Sequence, residues 1–194
     1  MLLKKAFHFL LFFLIILPTI FLGEKKAYII TGPESSGSVF IAQVIAHVTG
    51  KDHSYKDWSG YRWNGNVGDD LVIVHLSQPA GEDHDEFFPL SWFQETLKDY
   101  TRYFIITTRD VTIIKESKKH RFRCSSKKAK EHENLSRKIL SEILANEKCF
   151  IWNFETENYL KEAYFQLLYD FLEIDSSFFP QDLYDANKKY IYRS

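Results

Sequence analysis

Four short apolar runs, separated by stretches of helical periodicity, organise this chain. They are Ala27-Tyr28-Ile29-Ile30-Thr31, Leu71-Val72-Ile73-Val74-His75-Leu76, Tyr103-Phe104-Ile105-Ile106-Thr107-Thr108 and Cys149-Phe150-Ile151-Trp152-Asn153-Phe154. Each is continuous rather than alternating, as in strands buried on both faces. A first helix is expected over residues 37–48, apolar nearly all round through Val39, Phe40, Ile41, Val44, Ile45 and Val48. Residues 51–70 read as a long loop. Ser91 is expected to cap a helix running to about Tyr100, and a helical stretch begins at Val111. From Lys128 the positions Leu135, Ile139, Leu140, Ile143 and Leu144 fall on one helical face. Asn158 is expected to cap a last helix that turns Leu160, Ala163, Tyr164, Leu167, Leu168, Phe171 and Leu172 inwards. Strands alternating with helices predict an α/β fold, with a parallel sheet of about four to five strands and helices on both faces.

The length, 194 residues, suits one such domain, taken as residues 27–194. Lys and Arg (25) balance Asp and Glu (26), which argues against bulk nucleic-acid binding. Cys124 and Cys149 have no Cys-x-x-Cys or histidine cluster beside them, so no metal site is predicted. Residues 1–26 stand apart. Lys4 and Lys5 precede an apolar run over residues 6–22, close to the minimum length that spans a bilayer. A cleaved signal peptide, an uncleaved signal-anchor and a buried hydrophobic helix are the three readings. Phe21 at −3 from a cut after Gly23 is a poor peptidase site, which favours the anchor and a single-pass or membrane-associated protein, its side of the membrane open.

The chemistry concentrates where the first strand ends. Gly32-Pro33-Glu34-Ser35-Ser36-Gly37-Ser38 joins strand to helix with two glycines five apart and three hydroxyls. Backbone amides of such a turn, with the positive end of the helix dipole, form an anion cradle. A nucleotide-triphosphate P-loop would continue with Lys and Ser/Thr after the second glycine; here Ser38 and Val39 follow. In an open parallel sheet the strand ends gather along one crevice, which would bring this loop, His75 and Arg109 together. Arg109 is followed eight positions later by Ser117. A planar guanidinium and a helix hydroxyl at that offset suit a second phosphate.

The pattern resembles the P-loop sulfotransferase superfamily, whose donor is 3′-phosphoadenosine-5′-phosphosulfate. Ser36-Gly37-Ser38 looks like the loop that holds the 5′-phosphosulfate, and Arg109 with Ser117 like the pair that holds the 3′-phosphate. The late strand with an acidic end, Asn153-Phe154-Glu155, and the final amphipathic helix follow in the matching order. The resemblance implies a P-loop-type sheet and sulfuryl transfer to a hydroxyl acceptor, of which a carbohydrate is the expected class. It also implies donor contacts from Gly32, Ser35, Ser36, Gly37, Ser38, Arg109 and Ser117. No metal is required. The chain departs from the family in its loop: Glu34 and Ser35 stand where a leaving-group cation is usual, so the cation would have to come from Lys51, Lys56 or the basic cluster over residues 115–130.

An attacking hydroxyl needs a proton acceptor, and an imidazole ordinarily titrates near neutrality. His75 is the first candidate, His84 in its acidic loop the second, and Glu34 the third. Trp58, Tyr61 and Trp63 could stack on a sugar acceptor or simply pack. Two other functions fit the same residues: a membrane-anchored nucleotide-binding or interaction module without activity, and a degenerate P-loop kinase.

Overall fold

The computed structural model describes residues 24–52, 63–66, 68–80, 84–122, 125–181, 183 and 187–188. The apolar segment 6–22, Lys56, Trp58, Tyr61 and Cys124 lie outside the described residues. Strands β1 (Lys26–Pro33), β2 (Trp63–Asn64), β3 (Leu71–Gln78), β4 (Thr101–Thr108) and β5 (Cys149–Asn153) make one sheet in the order β2-β3-β1-β4-β5. Four of the five run parallel, and β2 pairs antiparallel with β3 at the edge. The helices are α1 (Ser38–Val48), α2 (Leu90–Thr96), α3 (Val111–Phe122), α4 (Ser126–Asn146), α5 (Phe154–Leu160) and α6 (Glu162–Leu172). This is the expected α/β architecture.

Alternation along each strand sorts side chains into two apolar layers. Tyr28, Ile30, Ile73, Tyr103, Ile105 and Trp152 face α1 and α6. Ala27, Ile29, Val72, Val74, Phe104 and Ile106 face α2 and α4. On the first face Trp152 stacks on Tyr164, with ring centroids 4.4 Å apart, and Tyr28 donates its hydroxyl to the Leu172 carbonyl at 2.8 Å. These contacts pin α6 along the sheet. Among the described residues no helix is long and apolar enough to cross a membrane.

Several boundaries differ from the pattern-based expectation. The 51–70 segment contains β2. Strand β3 runs three residues past His75, which therefore lies within the strand rather than at its end. Helix α2 starts at Leu90 and stops at Thr96, with Pro89 rather than Ser91 at its cap. Proline's fixed φ and missing N–H suit a helix start. Asn153, not Asn158, caps the helix after β5: its Oδ1 accepts from Thr156 N at 2.8 Å. Lys161, at φ 46°, then breaks the chain into α5 and α6. The break resets the helical phase, so Tyr164, Phe165, Leu168, Tyr169 and Leu172 turn inwards while Leu160, Ala163 and Leu167 are exposed. In α4 the buried stripe is Ala129, His132, Ser136, Ile139, Leu140 and Ile143, and Leu135 and Leu144 stay exposed.

At the carboxyl end of β1 the strands approach unusually closely. A Cβ on Gly32 would lie 2.3 Å from both the carbonyl oxygen and Oγ1 of Thr107. Backbone cannot yield there, so Gly32→Ala is expected to cost about 1–3 kcal/mol of overpacking. The comparison of urea unfolding midpoints of the two proteins checks it, and an unchanged midpoint would refute the close approach.

Candidate functional site

Because the chain passes from β1 to β3 on one side and then returns to β4 on the other, β1 ends at a topological switch point, where open α/β sheets bind ligands. The 32–38 loop occupies that point. Ser36 N donates to the Pro33 carbonyl at 3.1 Å, closing a tight turn, and Ser35 within it has φ 67°. Gly37, at φ 91°, is the N-cap of α1 and has no side chain to cap it. The first helical bond is Ile41 N to the Gly37 carbonyl, at 3.4 Å. The amides of Ser38, Val39 and Phe40 therefore have no acceptor within the helix and present the positive end of its dipole.

Three groups of side chains surround the loop. On the β3 side, His75 Nε2 lies 2.8 Å from Ser38 Oγ, which is 3.4 Å from Ser77 Oγ. With Nδ1 protonated, Nε2 accepts the Ser38 proton. On the β4 side, Arg109 donates through Nη1 to the Ser35 carbonyl at 2.9 Å and through Nε to Asn187 Oδ1 at 2.6 Å. Its guanidinium covers the Phe154 ring at 4.7 Å, a cation–π contact, and the same ring bounds Gly37. Arg121 reaches Ser35 Oγ from α3 at 3.5 Å. The third group is an ion triad. Glu34 Oε1 meets His84 Nδ1 at 2.5 Å, and Oε2 meets Lys118 Nζ at 3.3 Å.

The sequence-predicted residues thus fall into different roles. Ser36 is fully buried and its hydroxyl meets Thr107 Oγ1 at 2.6 Å, a tie between loop and β4. Ser38, His75, Ser35 and Arg109 gather at the loop as expected. Glu34 and His84 are bonded to one another. Ser117 lies on α3 next to Lys118 and is 1% exposed, so it faces protein rather than open crevice. Within the basic cluster over residues 115–130, expected as one possible source of a cation, Lys118 is the member buried against the loop, paired with Glu34. Asn187, beyond α6, joins the site through Arg109, and no local sequence signal marks it. Trp63 packs against the α2/α4 core.

No group of three or more His, Cys, Asp or Glu is placed to hold a metal among the described residues. Cys149 is free, and burial pushes its thiol up to about 11, with the Glu147 charge adding to the shift. Compared with known proteins, the chain matches no family model, and no curated protein matches it.

A buried carboxyl flanks the site on α5. Glu157, one turn past Phe154, is pushed up to about 7 by burial, against a hydrogen bond from Trp152 that acts the other way. Its Oε2 has no hydrogen-bond partner among the described residues. The unfolded chain releases this proton near 4.5, whereas the folded chain keeps it until about 7. Stability attributable to Glu157 is therefore present below about pH 4.5 and lost as pH rises to about 7, a difference on the order of 3 kcal/mol. Glu157→Gln is expected to flatten that slope and to be the more stable protein at pH 8. Urea unfolding of both proteins from pH 5 to 8 measures the difference, and parallel profiles would refute the assignment.

Proposed function

We propose that the chain is a sulfotransferase, moving a sulfuryl group from 3′-phosphoadenosine-5′-phosphosulfate to a hydroxyl acceptor of the carbohydrate class. The observation that carries this reading is the meeting of two guanidinium groups, Arg109 and Arg121, on Ser35 of a loop that has no cation of its own. Arg121, from the basic cluster of α3, brings to the loop the positive charge missing from its sequence. In this reading the amides of the first α1 turn, with Gly32, Ser35, Ser36, Gly37 and Ser38, hold the 5′-phosphosulfate. Arg109 and Ser117 serve the 3′-phosphate, the latter only if α3 shifts to uncover its hydroxyl.

His75 is the proposed base. It takes the acceptor's hydroxyl proton while the acceptor oxygen bonds to sulfur and the bond from sulfur to the 5′-phosphate oxygen breaks. The products are the sulfate ester and 3′-phosphoadenosine-5′-phosphate. His84 and Glu34, bound to each other, are less available for that role. The apolar run over residues 6–22 supports attachment to a membrane as anchor. A second reading, a nucleotide-binding module that does not turn over, draws on the Glu34 carboxylate sitting inside the loop.

Calorimetric titration of the protein with 3′-phosphoadenosine-5′-phosphate is expected to give micromolar binding, with ATP weaker by about tenfold or more. Arg109→Ala should lose at least about tenfold, with folding verified by circular dichroism. His75→Asn should keep that binding while lowering transfer by about 100-fold. Absence of bisphosphate binding by the folded protein would sink both readings. Binding without transfer to any hydroxyl acceptor would leave the second.

A further inference from the structure

The layer between the sheet and α4 changes character towards the site. At its amino end it is apolar, with Ile29, Ile139, Leu140 and Ile143. Towards the carboxyl end the same strand face continues from Ile29 to Thr31, and the same helix stripe continues back to Ser136 and His132. Thr31 Oγ1 and Ser136 Oγ are both buried and have no hydrogen-bond partner among the described residues. Buried hydroxyls left without partners are uncommon and mark a polar space that something else completes. Glu34 of the loop and Lys118 of α3 are 6% and 5% exposed, an ion pair almost wholly out of water. Lys118 also lies near His132, whose pKa is lowered by burial first and then by the Lys118 charge. Asp85 bridges Lys128 and His132 on the outer side. The charged and titratable groups on this side are therefore Lys118 and His84, which contact Glu34, then His132, and beyond them Lys128 with Asp85, while Arg109 and Arg121 meet Ser35.

Burying an ion pair removes two ions from water, and the attraction between them often does no better than offset that cost. Glu34 is thus a poor stability device. Its placement makes sense as chemistry: a carboxylate carried by the anion loop itself, bound to the only buried lysine among the described residues. We propose that Glu34 is an internal competitor for the anion site, and that a phosphosulfate or phosphate group entering the 32–38 loop displaces it and takes Lys118 as its own cation. The inference rests on the reading of that loop as the donor's 5′ site. It adds Lys118 as a binding residue and Glu34 as the group that sets affinity and selects for multiply charged ligands, since a singly charged anion gains no more from Lys118 than Glu34 already does.

The test is calorimetric titration of 3′-phosphoadenosine-5′-phosphate into the wild-type protein, Glu34→Gln and the double variant Glu34→Gln/Lys118→Met. The double variant removes both charges together, so no buried ion is left unpaired, and thermal melts without ligand verify folding. Glu34→Gln is expected to bind about tenfold tighter than wild type, and the double variant to lose that gain and fall at least about tenfold below Glu34→Gln. Equal affinity of Glu34→Gln and wild type overturns the proposal while leaving the donor reading standing. So does a double variant as tight as Glu34→Gln. Failure of every variant to bind overturns both together.

Discussion

The site depends on one steric allowance, the absence of a side chain at Gly32. Thr107 of β4 occupies the space where a Cβ would be, so β1 and β4 close up at their carboxyl ends as no other residue would permit. The closeness sets up a relay of hydroxyls. Thr107 Oγ1 donates to the Thr31 carbonyl at 3.3 Å, so the proton in its short contact with Ser36 must come from the Ser36 hydroxyl. The loop is thereby tied to β4 before the chain of β4 has ended. Two residues later Arg109 reaches back to the Ser35 carbonyl, fastening the other side of the same turn. A single missing methyl group thus positions the backbone that α1 starts from and the guanidinium that faces it.

The electrostatics follow from that geometry. The 32–38 loop ends in a helix start without a capping side chain, and the neighbouring elements bring three cations to it: Arg109, Arg121 and Lys118. The loop's own carboxylate, Glu34, pairs with Lys118. Arg109 is further held by Asn187 and by the face of Phe154, so its direction is fixed by contacts outside the loop. Glu155 joins this support by accepting from Asp110 N and from Asn187, both at 3.1 Å. The arrangement is a set of positive groups oriented before any ligand arrives, the condition under which electrostatic stabilisation is strongest.

The parallel sheet was legible because strands buried on both faces have no polar positions to confuse the reading, and the glycines at 32 and 37 announced the loop. Helix faces were less so. The last stripe holds at Tyr164, Leu168 and Leu172 but fails at Leu160, Ala163 and Leu167, because Lys161, a residue with no helix-breaking chemistry, adopts φ 46° and restarts the phase. At the site, residues on the loop or just after a strand were identifiable because chain order alone puts them at the crevice. Lys118 was not, since burial by ion pairing leaves no apolar periodicity behind: its neighbours Lys119 and His120 are exposed, and the run reads as solvated charge. Asn187 depends on where the tail folds back, and Thr107 on what Gly32 permits. Both are tertiary facts without a local pattern.

The two faces of the sheet divide the work around the loop. On one, α1 and α6 meet the sheet through an aromatic cluster in which Trp152 packs against Tyr164 and Phe165, with no polar break before α1 begins. That face holds the start of α1 in place. On the other, the packing turns polar near the crevice, through Thr31, Ser136, His132 and Lys118. Polar contacts exchange partners at smaller cost than close-packed rings, which lose dispersion contacts and gain voids when they move. The Glu34–Lys118 pair lies on the α3 side of the loop and the tie from Ser36 to Thr107 on the β4 side. The same sheet thus places a helix start without a capping side chain beside a polar layer that holds a buried ion pair.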